Sequence, residues 1–287
     1  MGKIADFLSI LLGDDKKQEK DIYIRDKNGK PIAYRAMLRD SIEAEKNGEE
    51  FVLNKHDKAV LKEMTDEINR ELGTKIHYWA EIASFTIHGA GYIMQKYLDR
   101  FESEGIKAYL IEQMERDGVE NIAEIALAWF QHFRESSEYI SAPGESSPAY
   151  INIRYDNLFR RQKPRRLKQE LMDIVSNPRD AFELPLTTKM LSSWKMKDME
   201  PILHRYFHSE LITAEEFGIT EDGNYFPSCK TMRRQLLFIA IMSLKYYPTD
   251  ENVSLLESIA DSDDEDVRKA VSKSLAFMEK HCNKLNK

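Results

Sequence analysis

Along most of the chain the apolar residues recur every three to four positions, the spacing that gathers them on one face of an α-helix. From Asn54, a good capping residue, this pattern runs through Val60, Leu61, Met64, Ile68 and Leu72 to Gly73, and predicts one long helix marked at both ends. Residues 76–101 are apolar and broken at Gly89-Ala90-Gly91, and helices are expected near 106–116 and from Val119 to about Tyr139. The latter carries Ile122, Ile125, Ala126, Trp129, Phe130 and Phe133, a wide stripe suited to a bundle core. Shorter helices are expected over 3–12, 35–47 and 149–159. A β-hairpin is predicted near the N-terminus, where Asp21–Arg25 and Lys30–Tyr34 flank Asp26-Lys27-Asn28-Gly29, with Phe51-Val52-Leu53 as a candidate third strand.

The C-terminal stretch reads as a pair of antiparallel helices. Val253, Leu255, Leu256, Ile259 and Ala260 face Val267, Ala270, Val271, Leu275 and Met278 across the turn Asp261–Glu265. Neither helix can bury such a face alone. The pattern recurs about 35 residues upstream, where Met232-Arg233-Arg234 aligns with Val267-Arg268-Lys269 and Leu236 with Val271. A further unit is marked by Leu167, Leu171, Ile174 and Val175, the turn Asn177-Pro178, and then Leu186, Met190, Leu191 and Trp194. Residues 165–281 thus resemble HEAT repeats, with Met199-Glu200-Pro201-Ile202-Leu203 similar to that family's proline-bent helix start and Ser254 standing where the last unit would carry its proline. The resemblance implies an α-solenoid, and it implies for Arg268 a structural bond to a loop acid between units. No catalytic residue follows from it. The expected fold class is all-α: a helical domain with a small hairpin over 1–145, then a HEAT-like domain over 149–287, separated by the Pro/Gly/Ser-rich residues 141–148.

Composition agrees with long amphipathic helices, since 287 residues with 42% hydrophobic and 32% charged side chains contain only 12 Gly and 9 Pro. The net charge of -7 argues against a general affinity for phosphate backbones. The two cysteines, Cys229 and Cys282, show no metal-site spacing and fit a reducing, cytoplasmic setting. The longest apolar run, Leu236–Leu244, is well short of the roughly 18 residues of a membrane span, so a soluble protein is expected.

The motifs with chemical potential each have a simpler structural reading. His204 and His208 lie four apart on a predicted helix, but no glutamate follows the first, and an ordinary amphipathic face is the expectation. His88-Gly89-Ala90-Gly91 follows a helix rather than a strand and is read as close packing, not a phosphate loop. Asp261–Asp266 lacks the glycine of a calcium loop and places acids at a helix N-terminus. No nucleophile motif is present, and neither cofactor nor metal is expected.

Two function classes remain. The first is a non-enzymatic scaffold, adaptor or inhibitor, of the bacterial immunity type for example, that binds another protein through the repeats. Its candidate contacts are Phe217, Glu221, Asp222, Tyr225 and Phe226 in the long insertion 209–227, which mixes aromatic anchors with acids. The alternative is a nucleic-acid-binding or DNA-repair protein that uses Arg160, Arg161, Lys163, Arg165, Arg166 and Lys168, with Tyr155 and Phe159 as stacking surfaces.

Overall fold

The computed structural model describes residues 23–25, 31–33, 53–84, 86–136, 148–210 and 228–285, whose regular structure is helical apart from two short strands. The predicted N-terminal helix, the helix over 35–47, residues 51–52 of the third strand, most of the linker and the insertion lie outside the described residues. The chain divides into two compact units, 1–102 and 103–287.

In the first unit, strands β1 (Tyr23–Arg25) and β2 (Pro31–Ala33) pair antiparallel, with Ile24 opposite Ile32. Helix α1 (Lys55–Leu72) has the ends its sequence announces. Asn54 Oδ1 accepts the Asp57 N–H at 2.7 Å, and Gly73 closes the helix at φ 65°. The Asn69 side chain then pins the returning chain: its Nδ2 donates to the Ile76 carbonyl and its Oδ1 accepts the Ile76 N–H, each at 2.7 Å. The apolar stretch that follows is two short helices, α2 (Trp79–Ser84) and α3 (Gly91–Tyr97). The break falls at Gly89, whose φ of +87° suits glycine and whose absent Cβ would stand 3.3 Å from Leu72 Cδ2. Glu67 ties α1 to α3 by accepting from Lys96 Nζ at 2.9 Å and from the Tyr97 hydroxyl at 2.7 Å.

The second unit holds α4 (Glu104–Asp117), α5 (Ile122–Glu135), α6 (Pro148–Gln162), α7 (Lys168–Ser176), α8 (Pro185–Ser193), α9 (Met199–Phe207), α10 (Cys229–Leu244), α11 (Asp250–Glu257) and α12 (Glu265–Leu285). Helices α4, α6, α8, α10 and α12 lie side by side in that order, forming one row. Within the pairs, α7 packs on α8, α9 on α10 and α11 on α12, and α7 touches α9 in the second layer. The helices on either side of the Pro/Gly/Ser-rich stretch, α5 and α6, pack on each other inside this unit.

The Leu236–Leu244 run belongs to α10, which is flanked by α8, α9 and α12 and so is apolar around most of its circumference. Leu203, Ile241, Leu244, Leu256, Val267 and Val271 form one continuous core beneath the last two pairs. Buried Asn252 links their outer helices: its Nδ2 donates to the Tyr247 carbonyl at 2.7 Å and to Glu200 Oε1 at 2.5 Å, while its Oδ1 lies 2.7 Å from His204 Nε2.

Two local expectations change. Pro201 falls in the first turn of α9, where a missing N–H costs no intrahelical bond, so it needs no bend. Arg268 donates to the Ser262 carbonyl within its own turn, whereas Arg234 on α10 reaches Asp264 in the α11–α12 loop and Asp266 in the first turn of α12.

Candidate functional site

Three places in the second unit gather charged or polar side chains. The deepest surrounds the loop between α7 and α8. Asp156 on α6 accepts the N–H groups of Leu186 and Thr187 at 2.7 and 2.6 Å, capping the start of α8 from a different helix. Asp180 Oδ1 accepts the Phe182 N–H at 2.6 Å, and Glu183 accepts the Arg179 N–H at 2.7 Å. Arg134 on α5 grips both Glu183 oxygens, at 2.6 and 3.1 Å, and donates to the Asn177 carbonyl at 2.8 Å. Burial pushes the Asp156 carboxyl up to about 6, against the pull of its hydrogen bonds. These acids are occupied in fixing a loop, which makes the cluster a clasp between α5, α6 and α8.

The second place is the basic run. Tyr155 and Phe159 do not border a groove: both are buried, their rings 5.1 and 6.3 Å from that of Phe130. Burial removes the stacking surface that a single-strand site would need. Arg161 is paired with Glu115 on α4 and Arg166 with Glu124 on α5, and the Arg165 guanidinium stands 5.6 Å from the centre of the Trp194 ring. Arg160, Lys163 and Lys168 are exposed. The run is therefore partly spent in joining α6 to the acids of α4 and α5. Likewise His204 is engaged with Asn252, and among the described residues no group of three or more His, Cys, Asp or Glu side chains is placed to hold a metal. Phe217, Glu221, Asp222, Tyr225 and Phe226 lie outside the described residues.

The third place is an open groove of about 470 Å³ between α10 and α12, on the row of neighbouring helices. Phe238, Met242 and Ala270 give it an apolar floor, and Arg234, Asp266, Lys269 and Lys273 stand around it. The spacing explains this placement: Arg234, Phe238 and Met242 are four apart on α10, as Lys269 and Lys273 are on α12, so each set lies along one helix face. One turn further along, Lys245 Nζ stands 5.2 Å from the Tyr246 ring centre and 5.3 Å from that of Phe277. Burial, and then the positive charge of Lys189 on α8, lower the proton affinity of Lys245.

The charges here are unevenly paired. Arg234 is held by Asp264 and Asp266, which leaves its flank over the Phe238 ring at 4.9 Å, and Lys269 pairs with Glu265 at 2.6 Å in an exposed i,i+4 contact. Among the described residues no carboxylate lies within ion-pair distance of Lys189, Lys245 or Lys273. The site leaves no cluster of charge in the linear chain, because these cations lie on α8, at the end of α10 and on α12. The available signal was local. Lys273 has Lys269, Ala270, Ala276 and Phe277 at its helical neighbour positions, and so no acid to neutralise it. No family model, curated protein or solved structure matches this chain.

Proposed function

We propose that the chain is a non-enzymatic scaffold whose C-terminal unit, a HEAT-like stack over residues 165–281, binds another protein on the row formed by α8, α10 and α12. The observation that carries this reading is the α10–α12 groove, where an apolar floor is bordered by Arg234, Lys269 and Lys273, the last with no carboxylate in ion-pair distance among the described residues. The half-buried Phe238 and Met242, which pack on the core beneath, offer anchor contacts of the kind that binding sites use. The repeat reading draws support from the pairwise packing of α7 to α12 and from Arg234, which ties the α9–α10 pair to the acids that open the next pair's second helix. We place the protein in the cytoplasm, in keeping with its buried free thiol Cys229; no helix among the described residues is long and apolar enough to cross a membrane.

The test is capture of the partner by full-length protein from its native cell, with and without nuclease, followed by hydrogen exchange on the complex. A nuclease-resistant protein partner that protects α8, α10 and α12 is the expected result. Retention of nucleic acid alone, or protection confined to the 160–168 run, would favour the nucleic-acid reading and overturn this one.

A further inference from the structure

We propose that the α10–α12 groove recognises an acidic amphipathic segment of the partner, which seats apolar side chains on Phe238, Met242 and Ala270 while its carboxylates meet Lys269 and Lys273. The inference rests on the scaffold reading above and specifies the chemistry of its ligand.

Charge complementarity sets the sign. The chain as a whole carries -7, yet Arg234, Lys269 and Lys273 line the groove with Lys245 and Lys189 beyond its end, against the acids Asp264, Glu265 and Asp266; those acids pair with Arg234 and Lys269, and among the described residues none is in ion-pair distance of Lys273, Lys245 or Lys189. The partner of Lys269, Glu265, makes an exposed pair with side chains 61% and 68% accessible, worth little and easily exchanged for a ligand carboxylate. Lys245 is already disfavoured as a cation by burial and by Lys189, so an incoming negative charge would relieve an existing cost.

The floor sets the class. Two helices side by side, with apolar residues four apart between them, form the kind of trough into which an amphipathic helix lays its apolar stripe. A nucleic acid strand needs ring faces, and the Phe238 ring already has the Arg234 guanidinium on it at 4.9 Å. Met242 and Ala270 offer a base no stacking plane. An acidic peptide uses both features of the groove, whereas a phosphate backbone uses only the cations.

The probe is a synthetic peptide of about 15 residues with leucines on one helical face and glutamates flanking them, its counterpart with lysine for each glutamate, and a single-stranded oligonucleotide. Full-length protein should bind the glutamate peptide in an anisotropy titration and bind the lysine peptide at least about tenfold more weakly. The exposed changes Lys269→Glu and Lys273→Glu together should reverse that preference, and Met242→Ala should weaken both peptides alike. Thermal melts of each variant separate loss of binding from loss of fold. Equal binding of the two peptides, an unchanged preference in the double variant, or oligonucleotide displacing the peptide from wild-type protein would each overturn the proposal. If the native partner still protects α8, α10 and α12 in the Lys269→Glu, Lys273→Glu protein, the scaffold reading stands and this inference alone fails.

Discussion

Replacing Arg134 by methionine removes the cation from the clasp around the α7–α8 loop while keeping a long apolar stem to pack against α5. Arg134 is one-fifth exposed, whereas the Glu183 side chain is 0% exposed, so the carboxylate is left buried with the Arg179 N–H as a remaining donor. The Asn177 carbonyl also loses its guanidinium donor. Breaking one side of a buried pair typically costs 3–5 kcal/mol, and the partial exposure of Arg134 puts the expected loss at the lower end, about 3 kcal/mol. For a unit of this size that corresponds to a fall in Tm of about 6–12 °C. Adding Glu183→Gln removes the uncompensated charge but keeps an acceptor for the Arg179 N–H, so the double variant should recover a large part of the loss. Denaturant unfolding of the two single variants and the double gives the coupling directly. An Arg134→Met protein within about 0.5 kcal/mol of wild type would refute the reasoning, because it would mean that water or another cation satisfies Glu183.

Leu256 is fully buried in the core shared by the last two pairs, so Leu256→Ala should cost about 2–5 kcal/mol, and exchange protection should fall in α11 and α12 before α4 to α8. Uniform loss across the second unit would contradict a stack of separable pairs. The Asp156 carboxyl, at about 6 when folded against 3.8 in its ordinary state, holds its proton more tightly in the native protein. Stability from this group is therefore full below about pH 4, declines as pH rises to about 6 and is level above, and Asp156→Asn should flatten that part of a urea-midpoint profile.

Helix positions were largely legible because their signals are local. Asn54 and Gly73 mark α1 in the sequence as they do in space, and the 3.6-residue pattern locates α4 to α12 within a few residues. The start of α8 was less so. Leu184 adopts φ 55°, a conformation that its side chain disfavours, and the start of α8 behind it is secured by Asp156, which lies 30 and 31 residues before the N–H groups it accepts. Tyr155 and Phe159 show the opposite failure: beside six bases they look like a stacking surface, but their helical phase turns them into the core against Phe130. The groove was hidden for the same reason, since Lys189, Lys245 and Lys273 become neighbours of one surface only when α8, α10 and α12 align.

Site-specific photo-crosslinking in the native cell tests the central claim most directly, with the reactive residue placed at exposed position 273 on α12 or at exposed position 170 on α7. A protein adduct from position 273, absent from position 170 and lost when Lys269 is changed to Glu, is the predicted result. Adducts to nucleic acid at 273, or to protein equally from both positions, would contradict a protein-binding groove between α10 and α12.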